Sequence, residues 1–347
     1  MMTQLVILCA FRPLRIFLIV CAALVFGCNF DLDLGFPSGT GPTYPPTPYN
    51  GPHFQDVSFS SPNEGIAVGD GGWIARTTNG GTTWLTEQSV DGYGNYTSVS
   101  CPSPGLAWVT GPYQGVRHSA DHGATWVTQV PSNYDSSFWG VHFSDGANGW
   151  AAGYARTRGG IVIATSDGGL TWDTKLVAPD DGFCDIYFLG DKAGWVVGYS
   201  GRIYHSDDGG ETWQQQVSNT AETLYKVDFV DSHVGWVSST GGTLLHTEDG
   251  GETWETLDYS ITGDGTALRA FDFLTREIGW AAGIGYCTAK TVDAGLHWAS
   301  TSHGSSEVSL YAVDFVDANN GWVVGTEKTI LCTHNGGYTW LRQTLTF

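Results

Sequence analysis

Basic residues are scarce in this chain. Of 347 residues, Lys and Arg account for 15 and Asp and Glu for 35. Arg12 and Arg15 lie within the first 27 residues, which hold no acid. The remainder carries 13 basic against 35 acidic residues, a formal charge of −22. A surface of that sign disfavours nucleic acid and anionic lipid as partners. Solubility accounts for such a charge, and attraction to a cationic partner is the sharper reading. Long apolar runs are missing too. The one candidate, Ile16 to Phe26, has about a dozen residues, short of a comfortable membrane span. No Cys-x-x-Cys pair occurs, so zinc and redox motifs are unsupported. Methionine appears twice, and charged residues make up 14% of the chain against 13% aromatics. So aromatic a chain with so little charge is not a disordered one.

The short apolar run has its own use. With Arg12 and Arg15 before it, it reads as the core of a signal peptide over residues 1–27. It ends Val25-Phe26-Gly27-Cys28, which resembles a bacterial lipobox, in which the Cys after a small residue is lipidated. Phe26 departs from that pattern, so a plain signal peptide and an uncleaved anchor are the alternatives. Residues 28–50 hold five prolines with Gly, Ser and Thr, a semi-extended tether. The expectation is an exported protein held at Cys28 on the periplasmic, lumenal or cell-surface side of a bacterial membrane, with the lipid as its only membrane contact.

What is plentiful is glycine, 48 residues, with 15 Trp, 15 Tyr and 16 Phe. That mixture points to many short strands joined by tight turns. One pattern, Ser/Thr-x-Asp/Asn-x-Gly-x-x-Trp, occurs seven times. It ends at Trp84, Trp126, Trp172, Trp213, Trp254, Trp298 and Trp340, at spacings of 42, 46, 41, 41, 44 and 42. A period near 42 fits four strands per propeller blade. Residues 51–347 are therefore expected to form an all-β, seven-bladed β-propeller of four antiparallel strands per blade. The pattern matches the Asp-box, a turn between third and fourth strands. Its acceptors are Asn79, Asp121, Asp167, Asp208, Asp249, Asp293 and Asn335. These should take hydrogen bonds from backbone N–H groups of their own turn, a structural role.

Each repeat opens on an alternating strand, such as Val227 and Phe229 about Asp228. Cys101 stands where other repeats have Phe and is expected to be a small core residue. A Gly-Trp pair opens the second strand at Trp150, Trp195, Trp236, Trp280 and Trp322, leaving Trp73, Trp108 and Trp139 outside the repeat. Asp228, Asp272 and Asp314 recur on first strands, either lining the channel or bonding the next blade. The second is preferred. His118, His205 and His246 share one repeat position, too far apart for one metal ion. The Asp-rich turns lack the ligand pattern of a calcium loop. No metal and no cofactor is expected. Cys101, Cys184, Cys287 and Cys332 are expected as buried free thiols; export would permit disulfides, with three pairings open.

Seven Asp-boxes, the Gly-Trp strand starts and the phrase Gly-Trp-Val-Val-Gly together resemble the photosystem II assembly and stability factor family, over about residues 54–347. The resemblance implies a seven-bladed propeller, often lipid-anchored, on the lumenal side of photosynthetic membranes, binding nascent reaction-centre proteins through a basic face. Sialidases, xyloglucanases and sortilin-type receptors also carry Asp-boxes. Sialidases need three convergent arginines, whereas the innermost strands here hold only Lys226 and Arg269 as cations. A protein-binding assembly scaffold is the preferred reading and no enzymatic activity is expected; a carbohydrate-binding or glycoside-hydrolase-like propeller of sialidase type is the alternative.

Linkers between blades and the loops joining second to third strands share one propeller face. Candidate binding residues there are Tyr134, Trp139, Tyr154, Arg156, Arg158, Asp181, Arg202 and Tyr259. Aromatic rings among a few arginines and acids suit a protein interface, and ordinary loop variation would give the same list. A protein partner is expected, with a glycan as the alternative ligand.

Overall fold

The computed structural model describes residues 53–88, 94–112, 114–130, 136–262, 267–304 and 308–346. The leader, the tether, Cys28 and Tyr134 lie outside them. All described residues belong to one unit, Tyr49–Phe347.

Seven antiparallel sheets follow in chain order. Their first and second strands are Phe54–Phe59 with Gly65–Gly69, Ser98–Ser103 with Leu106–Gly111, Ser136–Phe143 with Gly149–Ala155, and Phe183–Leu189 with Ala193–Gly198 in blades 1 to 4. In blades 5 to 7 they are Leu224–Phe229 with Gly235–Ser239, Ala267–Phe273 with Gly279–Ile284, and Leu310–Phe315 with Gly321–Gly325. Third and fourth strands complete each blade outward, as Arg202–Ser206 and Gln214–Val217 do in blade 4. Helix among the described residues is confined to two three-residue 3-10 turns, Asp70–Gly72 and Tyr199–Gly201. Two blades gain a fifth, parallel strand: Leu345–Thr346 on blade 1 and Ser260–Thr262 on blade 6.

The Gly-Trp pair has a steric cause. Gly194 lies opposite Phe188 in the same blade, and a Cβ at Gly194 would collide with that ring. The glycine lets Phe188 fold over the backbone, where Trp150 of blade 3 stacks on it at 3.6 Å and 6°. Trp213, from blade 4's own Asp-box, meets the same ring edge-on at 5.8 Å and 89°. Such pairs add about 0.5–1.5 kcal/mol each beyond the area they bury. Six blades repeat this Trp–Phe–Trp sandwich about Phe59, Phe143, Phe188, Phe229, Phe273 and Phe315.

Trp108, set apart in the sequence because no glycine precedes it, occupies the same slot and stacks on Phe143 at 3.7 Å. Ala107 replaces the glycine where Cys101, not Phe, lies in the same apolar cluster, and no ring needs the space. The seventh interface pairs Ile66 of blade 1 with Cys101 of blade 2, beside Trp126. His118, His205 and His246 lie against the second-strand Trp of their own blades, at 4.4, 4.8 and 5.2 Å. Burial lowers all three pKa values, which suits rings packed neutral on an indole. Cys101, Cys184, Cys287 and Cys332 form no disulfide with one another; all but Cys184 are buried.

The Asp-box turns share one bonding scheme. In blade 5, Asp249 accepts from Thr253 N–H at 2.9 Å, Thr253 Oγ1 at 2.7 Å and Thr247 Oγ1 at 2.8 Å. Thr247 Oγ1 in turn accepts from Gly251 N–H at 2.9 Å. Gly251 holds φ +92°, a left-handed angle that glycine takes without strain. Stabilised as anions, Asp121, Asp167, Asp208 and Asp249 have pKa values pulled down to about 2, first by the Thr hydroxyl bond.

Candidate functional site

First strands surround the axis, and their side chains join the blades. Asp56 Oδ2 accepts from Val99 N–H at 2.9 Å, and Ser98 and Ser100 accept from Val141 and Phe143 N–H at 3.3 and 2.9 Å. His142 packs against Tyr187 of blade 4, with ring centroids 4.9 Å apart. Asp185, Asp228, Asp272 and Asp314 then accept from Val227, Phe273, Phe315 and Phe59 N–H at 3.1, 2.8, 2.5 and 2.8 Å. Six seams thus carry a side-chain bond and the seam of blades 3 and 4 a ring contact, and Asp314 returns the chain to blade 1. The preferred reading of Asp228, Asp272 and Asp314 as inter-blade bonds matches these contacts.

Confinement makes the ring electrostatically tight. Burial pushes Asp228 up to about 6 and Asp314 up to about 7, and raises Asp272 well above the usual range, aided there by Asp228 and Asp314. Lys226 Nζ lies 3.4 Å from Asp185 Oδ2. Burial opposes the Lys226 charge, but Asp185, Asp56 and Asp228 outweigh it and raise the pKa.

The registers place the linkers and the second-to-third loops at one end. Phe183, just after a linker, pairs with Gly198, and Arg202, at the start of a third strand, pairs with Val217, just before the next linker. On this face blades 3 and 4 meet. Trp139, on the first strand of blade 3, approaches Tyr199 of blade 4 with ring centroids 5.7 Å apart. Tyr154 is exposed at the end of the second strand, and Arg156 and Arg158 are exposed in the turn that follows. A tight turn holds them, closed by Arg158 N–H donating to Ala155 C=O at 3.0 Å.

Asp181 and Arg202 are joined rather than separately displayed. Arg202 Nε donates to Asp181 Oδ1 at 2.7 Å, and Tyr204 Oη to Asp181 Oδ2 at 2.9 Å. Asp181 is buried, while the Arg202 side chain stays 41% exposed. The bond to Asp181 and its charge raise the Arg202 pKa, and burial with the same bond pushes Tyr204 up to about 12. Arg202 is thus a fixed cation beside Tyr199. Tyr259 belongs elsewhere: its hydroxyl donates to Gly242 C=O at 2.6 Å, tying the linker to blade 5. Residues outside the candidate list join the face. Tyr199 sits in a 3-10 turn, Arg269 lies over the Tyr311 ring at 4.1 Å, and Arg117 Nη1 donates to Tyr96 Oη at 2.5 Å. The signal for Tyr199 is Tyr-Ser-Gly directly after Gly-Trp-Val-Val-Gly, where the chain must turn.

Asp-box turns, a bonded ring about the axis and an arginine- and aromatic-bearing loop face define a seven-bladed Asp-box propeller. Residues 127–219, 212–306 and 300–347 match the family model described as photosynthesis system II assembly factor YCF48. These segments cover well over half of the chain, and the chain belongs to that family. It is 30% identical over 124 residues to the photosystem II assembly lipoprotein Ycf48 of Synechococcus sp. (strain CC9902), a match to 35% of this chain and 36% of that protein. The match thus spans about a third of the length of that curated relative. The fold is similar to that of a solved YCF48 bound to D1 peptide, at TM-score 0.65, 20% identity, 82% of this chain and 93% of the other. It is also similar to the GH74 xyloglucanase of Xanthomonas campestris, at TM-score 0.62 and 14% identity, over 83% of this chain but 53% of the other.

Proposed function

We propose that this chain is an exported, lipid-anchored scaffold that binds a membrane protein during its assembly, on the loop face of blades 3 and 4. Family membership carries the reading, because the curated relative is named an assembly lipoprotein and the solved relative holds a peptide of D1. The geometry supports it. A rigid bonded ring presents Trp139, Tyr199, Arg202 and the Arg156–Arg158 turn together, and rings with fixed guanidinium groups are what protein interfaces favour. Their positive charge on an otherwise acidic molecule suits an acidic or carboxylate-bearing segment of the partner.

The same geometry supports a binding module over a glycosidase. The axial carboxylates that would serve as acid and base each accept a backbone N–H. Full-length protein purified from its own membranes should carry a membrane-protein assembly intermediate and should hydrolyse neither sialosides nor β-glucans. Turnover of either substrate, abolished by one carboxylate substitution, would replace this reading with an enzymatic one.

A further inference from the structure

Two segments of this chain show what the outer edge of a blade accepts. Leu345 pairs with Trp84 and Thr346 with Leu85, as a parallel fifth strand on blade 1. Ile261 pairs with Trp298 and Thr262 with Ala299 on blade 6. Both additions set an aliphatic residue opposite the Asp-box tryptophan and follow it with Thr. Both also cover the indole: Trp84 and Trp298 are 0% exposed. In blade 5 the linker does similar work, with Asn219 Nδ2 donating to Trp254 C=O at 3.3 Å and Trp254 buried.

Elsewhere the tryptophan is only half-buried, at Trp126, Trp172, Trp213 and Trp340. Charges on an outer strand discourage pairing. Blade 3 carries Asp173 and Lys175 there, and blade 7 carries Arg342. Blade 4 carries none: its outer strand reads Gln-Gln-Gln-Val over Gln214–Val217, with Val217 70% exposed. No further strand covers it among the described residues. Blade 2 is also uncharged there, but the chain beyond its outer strand is not described; around blade 4 it is.

We propose that the outer edge of blade 4, Trp213 to Val217, docks an extended peptide from a partner protein as a fifth parallel strand. The backbone of Gln214–Val217 supplies the ladder and Trp213 the platform for an aliphatic side chain. The peptide has Leu or Ile followed by Thr, as in both internal examples. A basic residue precedes them. A parallel strand starts at the Asp-box end, where Asp207, Asp208 and Glu211 outnumber their basic neighbours, Lys175 at 2.6 Å from Glu211 and His205 at 3.3 Å from Asp207. This surface is separate from the loop face.

The test uses a synthetic peptide copying residues 342–347, which holds Arg342, Leu345 and Thr346. It is titrated into isotope-labelled protein while backbone amide signals are followed. Saturable shifts at residues 213–217 are expected. Gln214→Lys with Val217→Lys, both at exposed positions, should weaken binding at least tenfold and leave the melting temperature within error. Trp139→Ala with Arg158→Ala should leave it unchanged. Shifts confined to Trp84–Gln88, undiminished affinity in the lysine variant, or no saturable shift would overturn the proposal. So would sedimentation showing a peptide-free dimer that exchanges C-terminal strands at this edge. Loss of binding in the loop-face variant would also overturn it, while leaving the assembly role standing.

Discussion

Asp314 of the last blade accepts a hydrogen bond from the Phe59 backbone N–H of the first at 2.8 Å, so the ring closes with the bond that joins its other late blades. The closing pair is backed by stacking, since Phe59 lies on Trp322 of blade 7 at 3.5 Å and 8°. Closure also uses Trp322 Nε1 donating to Gly80 C=O at 3.3 Å and a shared apolar cluster, with Leu345–Thr346 laid over the outer edge.

That carboxylate sets a pH dependence. Asp314 and Asp228, pushed up to about 7 and about 6 from 3.8, keep protons in the folded state that the unfolded chain releases. Stability from these groups is complete below pH 3.8 and is lost as pH rises through 6 to 7. The Asp-box carboxylates, pulled down to about 2, act the other way: their contribution stands above pH 3.8 and is lost as pH falls toward 2. Thermal melts across pH 2 to 9 should give maximum stability near pH 4, with a fall between about pH 4 and 7. A melting temperature that keeps rising to pH 8 contradicts this assignment.

Asp249→Ala removes the acceptor for three bonds in one turn. Because the turn is exposed, water replaces part of the loss, and the expected cost is about 1 kcal/mol or somewhat more. Denaturant midpoints measure it, and binding at low temperature should survive.

The seam between blades 1 and 2 offers a coupled test. Ile66 and Cys101 fill the place of a Trp–Phe pair. Ile66→Trp or Cys101→Phe alone overpacks or misfits the seam, at about 1–3 kcal/mol. Made together in an Ala107→Gly background, which opens the space a ring needs, they should recover at least about 1 kcal/mol of the summed loss, because the two sites share one seam. Strict additivity in the double-mutant cycle would show that the seam has no room for the sandwich.

Much of this architecture was legible because its unit repeats. The period gave seven blades, the alternation gave the first strands, and Cys101 announced itself as a small core residue. Trp108 was not legible as a member of the repeat, because its glycine is replaced and only Cys101, in the same apolar cluster as Ala107, explains why. The fifth strands were hidden too. Leu345–Thr346 and Ser260–Thr262 are too short to show a period, and their pairing is fixed by where linkers run. On the loop face, sequence found Trp139, Arg156, Arg158 and Arg202 by their variability across blades. It did not reveal that Asp181 is buried beneath Arg202, nor that Tyr259 is tied to Gly242, since both depend on distant chain segments meeting.

Anchoring is tested at Cys28. Cys28→Ala, or globomycin treatment, should enlarge the precursor band and move the protein out of the membrane fraction. An unprocessed N-terminus on protein recovered from the cytoplasm contradicts export.

The most direct measurement of the central claim is quantitative capture of a membrane-protein partner from detergent-solubilised membranes by wild-type protein and two variants. Trp139→Ala with Arg158→Ala should cut capture at least tenfold and leave the melting temperature nearly unchanged. Asp249→Ala should lower the melting temperature and leave capture near wild type at low temperature. Equal capture by the loop-face variant, or no partner recovered by wild type, would contradict the account.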